Sequence, residues 1–184
     1  MKSKVSKFLD YGLNIKKSIS VIFLTMIFGG VFGFIYELIF YKFDKGIFIN
    51  RGSTYGPWIP VYAFGAFFIC VLLYRLRKKP WLVILLSAVI TFLMEYLTGY
   101  YFLTYKGVRL WDYNVEILNF GNINGFVCLR SVLLFTFASV ASIYMVIPMF
   151  IKIAKKAKEN TILIISSILF ILFMLDIIIW GILH

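Results

Sequence analysis

The chain has 184 residues, of which 62% are hydrophobic and 20% aromatic, and its mean hydropathy is +0.93. That apolar share exceeds the roughly 45–50% of an ordinary soluble domain and excludes a water-soluble globule. The net charge of +11 gathers in short segments between apolar runs. Membrane topology and lipid headgroups account for it, and a nucleic-acid partner is unnecessary.

Residues 1–18 open the chain as a basic segment, with Phe8, Leu9, Tyr11, Leu13 and Ile15 among five lysines. The pattern suits a short amphipathic helix on the inner leaflet, or else a disordered basic tail. Residues 19–184 then read as a transmembrane domain. Apolar runs long enough for a helical crossing fall at about 19–41, 58–76, 81–103, 126–151 and 161–183. The first is longer than a signal-peptide core and no small-residue cleavage site follows, so it is expected to stay as an anchor. The expected fold is all-α: a polytopic membrane helix bundle of about five transmembrane helices in the cell membrane, with the lipid bilayer as its first partner.

Lys and Arg set the orientation, because short basic loops are retained in the cytoplasm. Lys2, Lys4, Lys7, Lys16 and Lys17 precede the first span; Arg75, Arg77, Lys78 and Lys79 separate the second and third; Lys152, Lys155, Lys156 and Lys158 separate the fourth and fifth. The opposite side holds fewer basic residues, balanced by acids. The N-terminus is therefore expected in the cytoplasm and the C-terminus outside.

Glu37, Glu95, Arg130 and Asp176 fall inside predicted spans, all near the outer boundary. A charge at mid-span costs about 2.5–3.5 kcal/mol even on the lenient insertion scale, which makes each a candidate functional residue; a purely structural ion pair is the alternative. Thr25, Gly29, Gly33, Glu37 and Tyr41 recur every four residues and form one packing stripe. Ser87, Thr91, Glu95 and Thr98 form a second, Cys128, Ser131, Ser139 and Ser142 a looser third, and these faces are expected to meet. Arg130 is expected to be the counter-ion of the acids at its depth.

The outer loops are too apolar and too rich in Gly and Pro for solvated linkers. YKFDKGIFINRGSTYGPWIPVY (41–62) is expected to fold back to the membrane boundary, which is tolerated where protein or water satisfies its backbone, and to carry Asn50 and Arg51 down to the acids. TYKGVRLWDYNVEILNFGNINGF (104–126) adds Trp111, Asp112, Tyr113, Asn119 and Asn124. The candidate substrate-binding set is thus Glu37, Asn50, Arg51, Glu95, Trp111, Asp112, Tyr113, Asn119, Asn124 and Arg130. No cofactor or metal is expected: His184 is the lone histidine, and Cys70 and Cys128 lie in different spans.

The combination of a span-one Glu37, NRGSTYGPWIPVYAFGA, a span-three Glu95, WDY at 111–113 and NINGFVCLRS resembles the bacterial family labelled putative ABC-transporter permease, type IV. The likeness covers residues 29–144. Ala63 stands where that pattern commonly has glycine, and Asn114 where it has serine. The resemblance implies an integral membrane protein acting as a permease subunit. The chain has no GxxxxGK[ST] phosphate loop, so ATP hydrolysis would belong to a separate ATPase subunit, and five spans are few for a solute path, which calls for that partner or a homo-oligomer. Two other readings stay open. One is a membrane-embedded enzyme acting on a lipid or envelope precursor, with Glu37, Glu95 or Asp112 as base, Arg51 and Arg130 as anion clamp, and Cys128 as a weak thiolate candidate. The other is a structural or sensory module.

Overall fold

In the computed structural model, which describes residues 9–49 and 54–183, four helices are long and apolar enough to cross a membrane and one more is apolar but shorter. We number them α1 (Ile15–Lys45), α2 (Pro60–Leu76), α3 (Pro80–Lys106), α4 (Leu129–Lys156) and α5 (Glu159–Leu183). No strand occurs among the described residues beyond an isolated bridge between Ile123 and Val127. The protein is a multi-pass membrane helix bundle, as its hydropathy predicts. The second apolar run is the one that falls short: its helix starts at Pro60, turns into a π-helical stretch at Ile69–Leu73 and ends in a 3₁₀ turn at Tyr74–Leu76.

Local chemistry fixes the ends of these helices. Asn14 caps α1 by accepting from the Lys17 amide at 3.0 Å, and Lys42 and Lys45 in its last turn complement the helix dipole. Pro80 occupies the first turn of α3, where its missing N–H costs nothing. Inside α4, Pro148 cannot bond back to the preceding turn, and the π-helical stretch Ser142–Val146 lies just before it and absorbs the mismatch.

α1 is the hub. Its small-residue stripe meets α2 at backbone range: a Cβ on Gly29 would lie 2.6 Å from Ala66 Cβ, and one on Gly33 would lie 2.2 Å from the Tyr62 ring. The same approach lets the Ile59 amide at the head of α2 donate to the Gly30 carbonyl at 3.0 Å, which satisfies a helix-start donor inside the bundle.

The two ends of the bundle differ. At the basic end, Val21, Ile69, Cys70, Leu73, Val83, Ile143 and Ile147 form a closed core. The described part of the basic N-terminal segment enters that core: Leu9, Tyr11 and Leu13 are buried, and the Tyr11 hydroxyl donates to the Cys70 carbonyl at 2.7 Å. Burial first, and the neighbouring Cys70 next, push the Tyr11 phenol far above its ordinary pKa and keep it a donor. Arg77 pairs with Asp10 at 2.6 Å, and Lys16 with Glu159 at 3.4 Å. These contacts bring the N-terminal segment, the α2–α3 turn and the α4–α5 turn to one end, as the alternation of basic loops requires. At the other end the long loops replace helix packing.

The glycine contacts generate a stability test. Gly33→Ala is expected to lower stability by about 1–3 kcal/mol through overpacking against Tyr62. Gly65→Ala, whose Cβ would meet no atom within 4 Å, is expected to change it by less than about 0.5 kcal/mol. Unfolding midpoints of the purified variants in matched micelles check the contrast.

Candidate functional site

At the loop end the acids do not float; each is met by donors from a different element. Glu95 on α3 is buried, and its two oxygens accept from the Tyr113 hydroxyl at 2.5 Å and from Ser131 Oγ at 2.6 Å. Ser131 is the third residue of α4 and also accepts from the amide of the cap residue Cys128 at 3.2 Å, so the start of α4 and the acid of α3 share one hydroxyl. Burial, and then the Glu95 charge, hold the Tyr113 phenol well above its ordinary pKa and keep it a donor. Glu37 on α1 accepts from the Tyr62 hydroxyl of α2 at 2.7 Å.

Arg130 corrects an expectation. Its ion partner is Glu116 of the second loop, at 2.6 Å, and not the Glu37, Glu95 and Asp176 set at its depth. Glu116 also accepts from the Tyr41 hydroxyl. The guanidinium lies over the Phe40 ring at 4.1 Å and faces Tyr113 at 5.4 Å. Its Nε and Nη1 are buried with no hydrogen-bond partner among the described residues, so aromatic faces stand in for acceptors there.

Asp176, one of the spans' four charges, holds the first loop in place. Its carboxylate accepts from the Tyr55 amide at 3.0 Å, the Gly56 amide at 2.8 Å and Trp58 Nε1 at 2.7 Å. Because Asp176 lies about two turns from the end of α5, this loop reaches roughly 10 Å below that end. The fold-back read from its composition is present, with the backbone satisfied by protein. Asn50 and Arg51, which were expected to accompany it, lie outside the described residues.

The second loop is a hydrogen-bonded cap. Asp112 accepts from the Asn114 amide at 3.0 Å to start a 3₁₀ turn and pairs with Arg109 at 3.1 Å. The Tyr113 amide donates to the Gly125 carbonyl at 3.0 Å, and Trp111 Nε1 donates to the Phe126 carbonyl at 2.8 Å. Gly125 has φ +75°, and a Cβ there would strike Arg109, Asp112 and Asn114, so the NG turn is obligatory. Asn124 (φ +55°) and Asn119, whose amide donates to the Asn114 carbonyl, serve the turns of this cap.

Between these groups lies a cavity of about 400 Å³, lined by Glu37, Tyr41, Tyr62, Glu95, Trp111, Tyr113 and Glu116, with Phe64, Met94, Phe102, Ile177 and Trp180 as apolar walls. Of the sequence-predicted set, Glu37, Glu95, Trp111 and Tyr113 thus meet on one surface. Arg130 lines a small adjoining recess with Glu37, Glu116 and Tyr113. Asp112, Asn119 and Asn124 sit in the scaffold behind. The sequence reading missed Glu116, Tyr41 and Tyr62; the spacing of Tyr41 from Glu37 was the available signal for one of them. No cluster of His, Cys, Asp and Glu suited to a metal occurs among the described residues, and Cys128 is a buried helix cap.

A family model described as Putative ABC-transporter type IV matches residues 22–180. The chain belongs to that family. The match to this ABC-transporter type IV family takes in all five helices nearly end to end, together with both loops that wall the cavity. Neither the curated proteins nor the solved structures provide a match.

The Glu116–Arg130 pair is expected to behave as a unit. Arg130→Met and Glu116→Gln should each cost about 3–5 kcal/mol, since each leaves a buried partner uncompensated, and the double variant should recover part of that loss. A double-mutant cycle on unfolding in micelles measures the coupling. Asp176→Ala is expected to speed hydrogen exchange at the Tyr55 and Gly56 amides at least tenfold, and mass-spectrometric exchange reads it directly.

Proposed function

We propose that the chain is the membrane-embedded subunit of a transport complex and that the carboxylate cavity is its substrate pocket, facing the outside of the cell. One observation carries the reading: Glu37, Glu95 and Glu116 converge from two helices and a loop on one cavity of about 400 Å³, a size suited to a small molecule. Carboxylate oxygens only accept, so the substrate group seated there donates hydrogen bonds, as an ammonium or a polyol does. Family membership supports a transport-related role, and the positive-inside rule turns the cavity end outward.

The closed core at the basic end gives the pocket a floor within one chain. Passage through the membrane therefore calls on a partner, in this reading an ATPase subunit of the kind that family membership suggests.

Affinity purification of the tagged full chain from its native membranes is expected to bring with it an ATPase carrying GxxxxGK[ST]. ATP hydrolysis by that complex should fall at least tenfold in a Glu37→Gln, Glu95→Gln double variant that still assembles. A chain that purifies alone, or only with copies of itself, contradicts the transport reading.

A further inference from the structure

A second cavity adjoins the first and differs from it in character. It measures about 240 Å³ and lies between α1, α2, α3 and α4. Val61, Tyr62, Met94, Glu95 and Phe135 line both cavities, so a single layer of side chains separates or joins them. Apart from Glu95 and Tyr62 at that shared wall and the hydroxyl residues Thr91, Ser139 and Ser142, the second cavity is lined by apolar side chains such as Phe28, Phe32, Ile69, Ile90, Phe137 and Met145, with Gly65 and Ala66 among them. Phe28, Phe32, Phe137 and Met145 are exposed on the flank of the helices. The apolar cavity therefore opens sideways, toward acyl chains, at a depth below the carboxylates.

We infer that the two cavities form one site for a single-chain amphiphile, its hydrogen-bond-donating head, an amine above all, among Glu37, Glu95 and Glu116 and its alkyl chain in the apolar cavity. This inference rests on the transport reading for the role of the head pocket and adds the class of molecule. Hydrogen bonding selects the head, because the carboxylate oxygens of Glu37, Glu95 and Glu116 only accept and Glu95 is the one charged group at the shared wall. Size suits the tail: a cavity of about 240 Å³ is room for a short single alkyl chain. The lateral opening lets the chain enter from the outer leaflet without leaving an apolar environment, while the head moves along the boundary into the acids.

Gly65 supplies a clean test, because it lines the apolar cavity and a Cβ built there meets nothing within 4 Å. Binding of octylamine, butylamine and octyl sulfate to the full chain in phosphatidylcholine nanodiscs would be followed by the fluorescence of Trp111 and Trp180, which line the head pocket. Octylamine is expected to bind the wild-type chain at least tenfold more tightly than octyl sulfate, and Gly65→Leu to weaken octylamine at least tenfold. Butylamine, too short to reach the apolar cavity, is expected to bind both proteins equally. Gly65→Ala, which removes less space, should fall between.

Equal octylamine affinity in the wild-type chain and Gly65→Leu would overturn the tail assignment, and octyl sulfate binding as tightly as octylamine would overturn the head assignment. Both readouts are independent of the ATPase partner. An intact ATPase complex with no octylamine binding rejects the amphiphile and leaves the transport reading standing. Octylamine binding without any ATPase partner does the reverse.

Discussion

A carboxylate inside a bilayer needs donors that the lipid cannot supply, and the outer half of this bundle is organised around that need. Glu95 draws Tyr113 down from the second loop and Ser131 from the start of α4. Asp176 draws down the backbone of the first loop through Tyr55 and Gly56. Asp44, at the end of α1, accepts from the Ile117 amide and holds the far side of the cap. Remove the acids and the loops lose the contacts that bring them into the membrane boundary; remove the loops and Asp176 loses the Tyr55, Gly56 and Trp58 donors while Glu95 loses Tyr113. The cavity is the space this mutual satisfaction leaves.

The opposite end of the molecule follows a different rule. There the chain is closed by apolar packing, with Leu9, Tyr11 and Leu13 filling the bundle end and salt bridges only at the margin. A polar, loop-built half and an apolar, helix-built half thus divide the bundle. The lateral apolar cavity fits between these halves and touches the polar one at Glu95 and Tyr62.

Much of the fold was legible in the sequence because burial in lipid writes long, nearly continuous patterns. The helices at 15–45, 80–106, 129–156 and 159–183 match the predicted runs, and the Thr25, Gly29, Gly33, Glu37, Tyr41 stripe is a packing face as read, although its glycines meet Tyr62 and Ala66 of α2 and not the polar stripe of α3. The site was less legible, for specific reasons. Arg130 meets Glu116 because a 3₁₀ turn and an NG turn fold the second loop back on itself, a geometry that helical spacing does not encode. Asp176 has no polar helical neighbours to mark it because its donors are two backbone amides and the Trp58 indole of a distant loop. Asn119 and Asn124 looked like ligand groups, and their chemistry is equally that of turns. The second run gave a shorter helix than expected because Pro60 fixes its start and a π-helical stretch consumes part of it.

The central claim is that a water-accessible, carboxylate-lined cavity opens to the outside of the cell, and Thr98, which lines it on α3, tests that claim most directly. Both native thiols, Cys70 and Cys128, are buried, so the background is low. In intact cells Thr98→Cys is predicted to react with a membrane-impermeant cationic thiol reagent added outside, while the unsubstituted chain does not. Labelling of Thr98→Cys only after the membrane has been permeabilised would contradict the account.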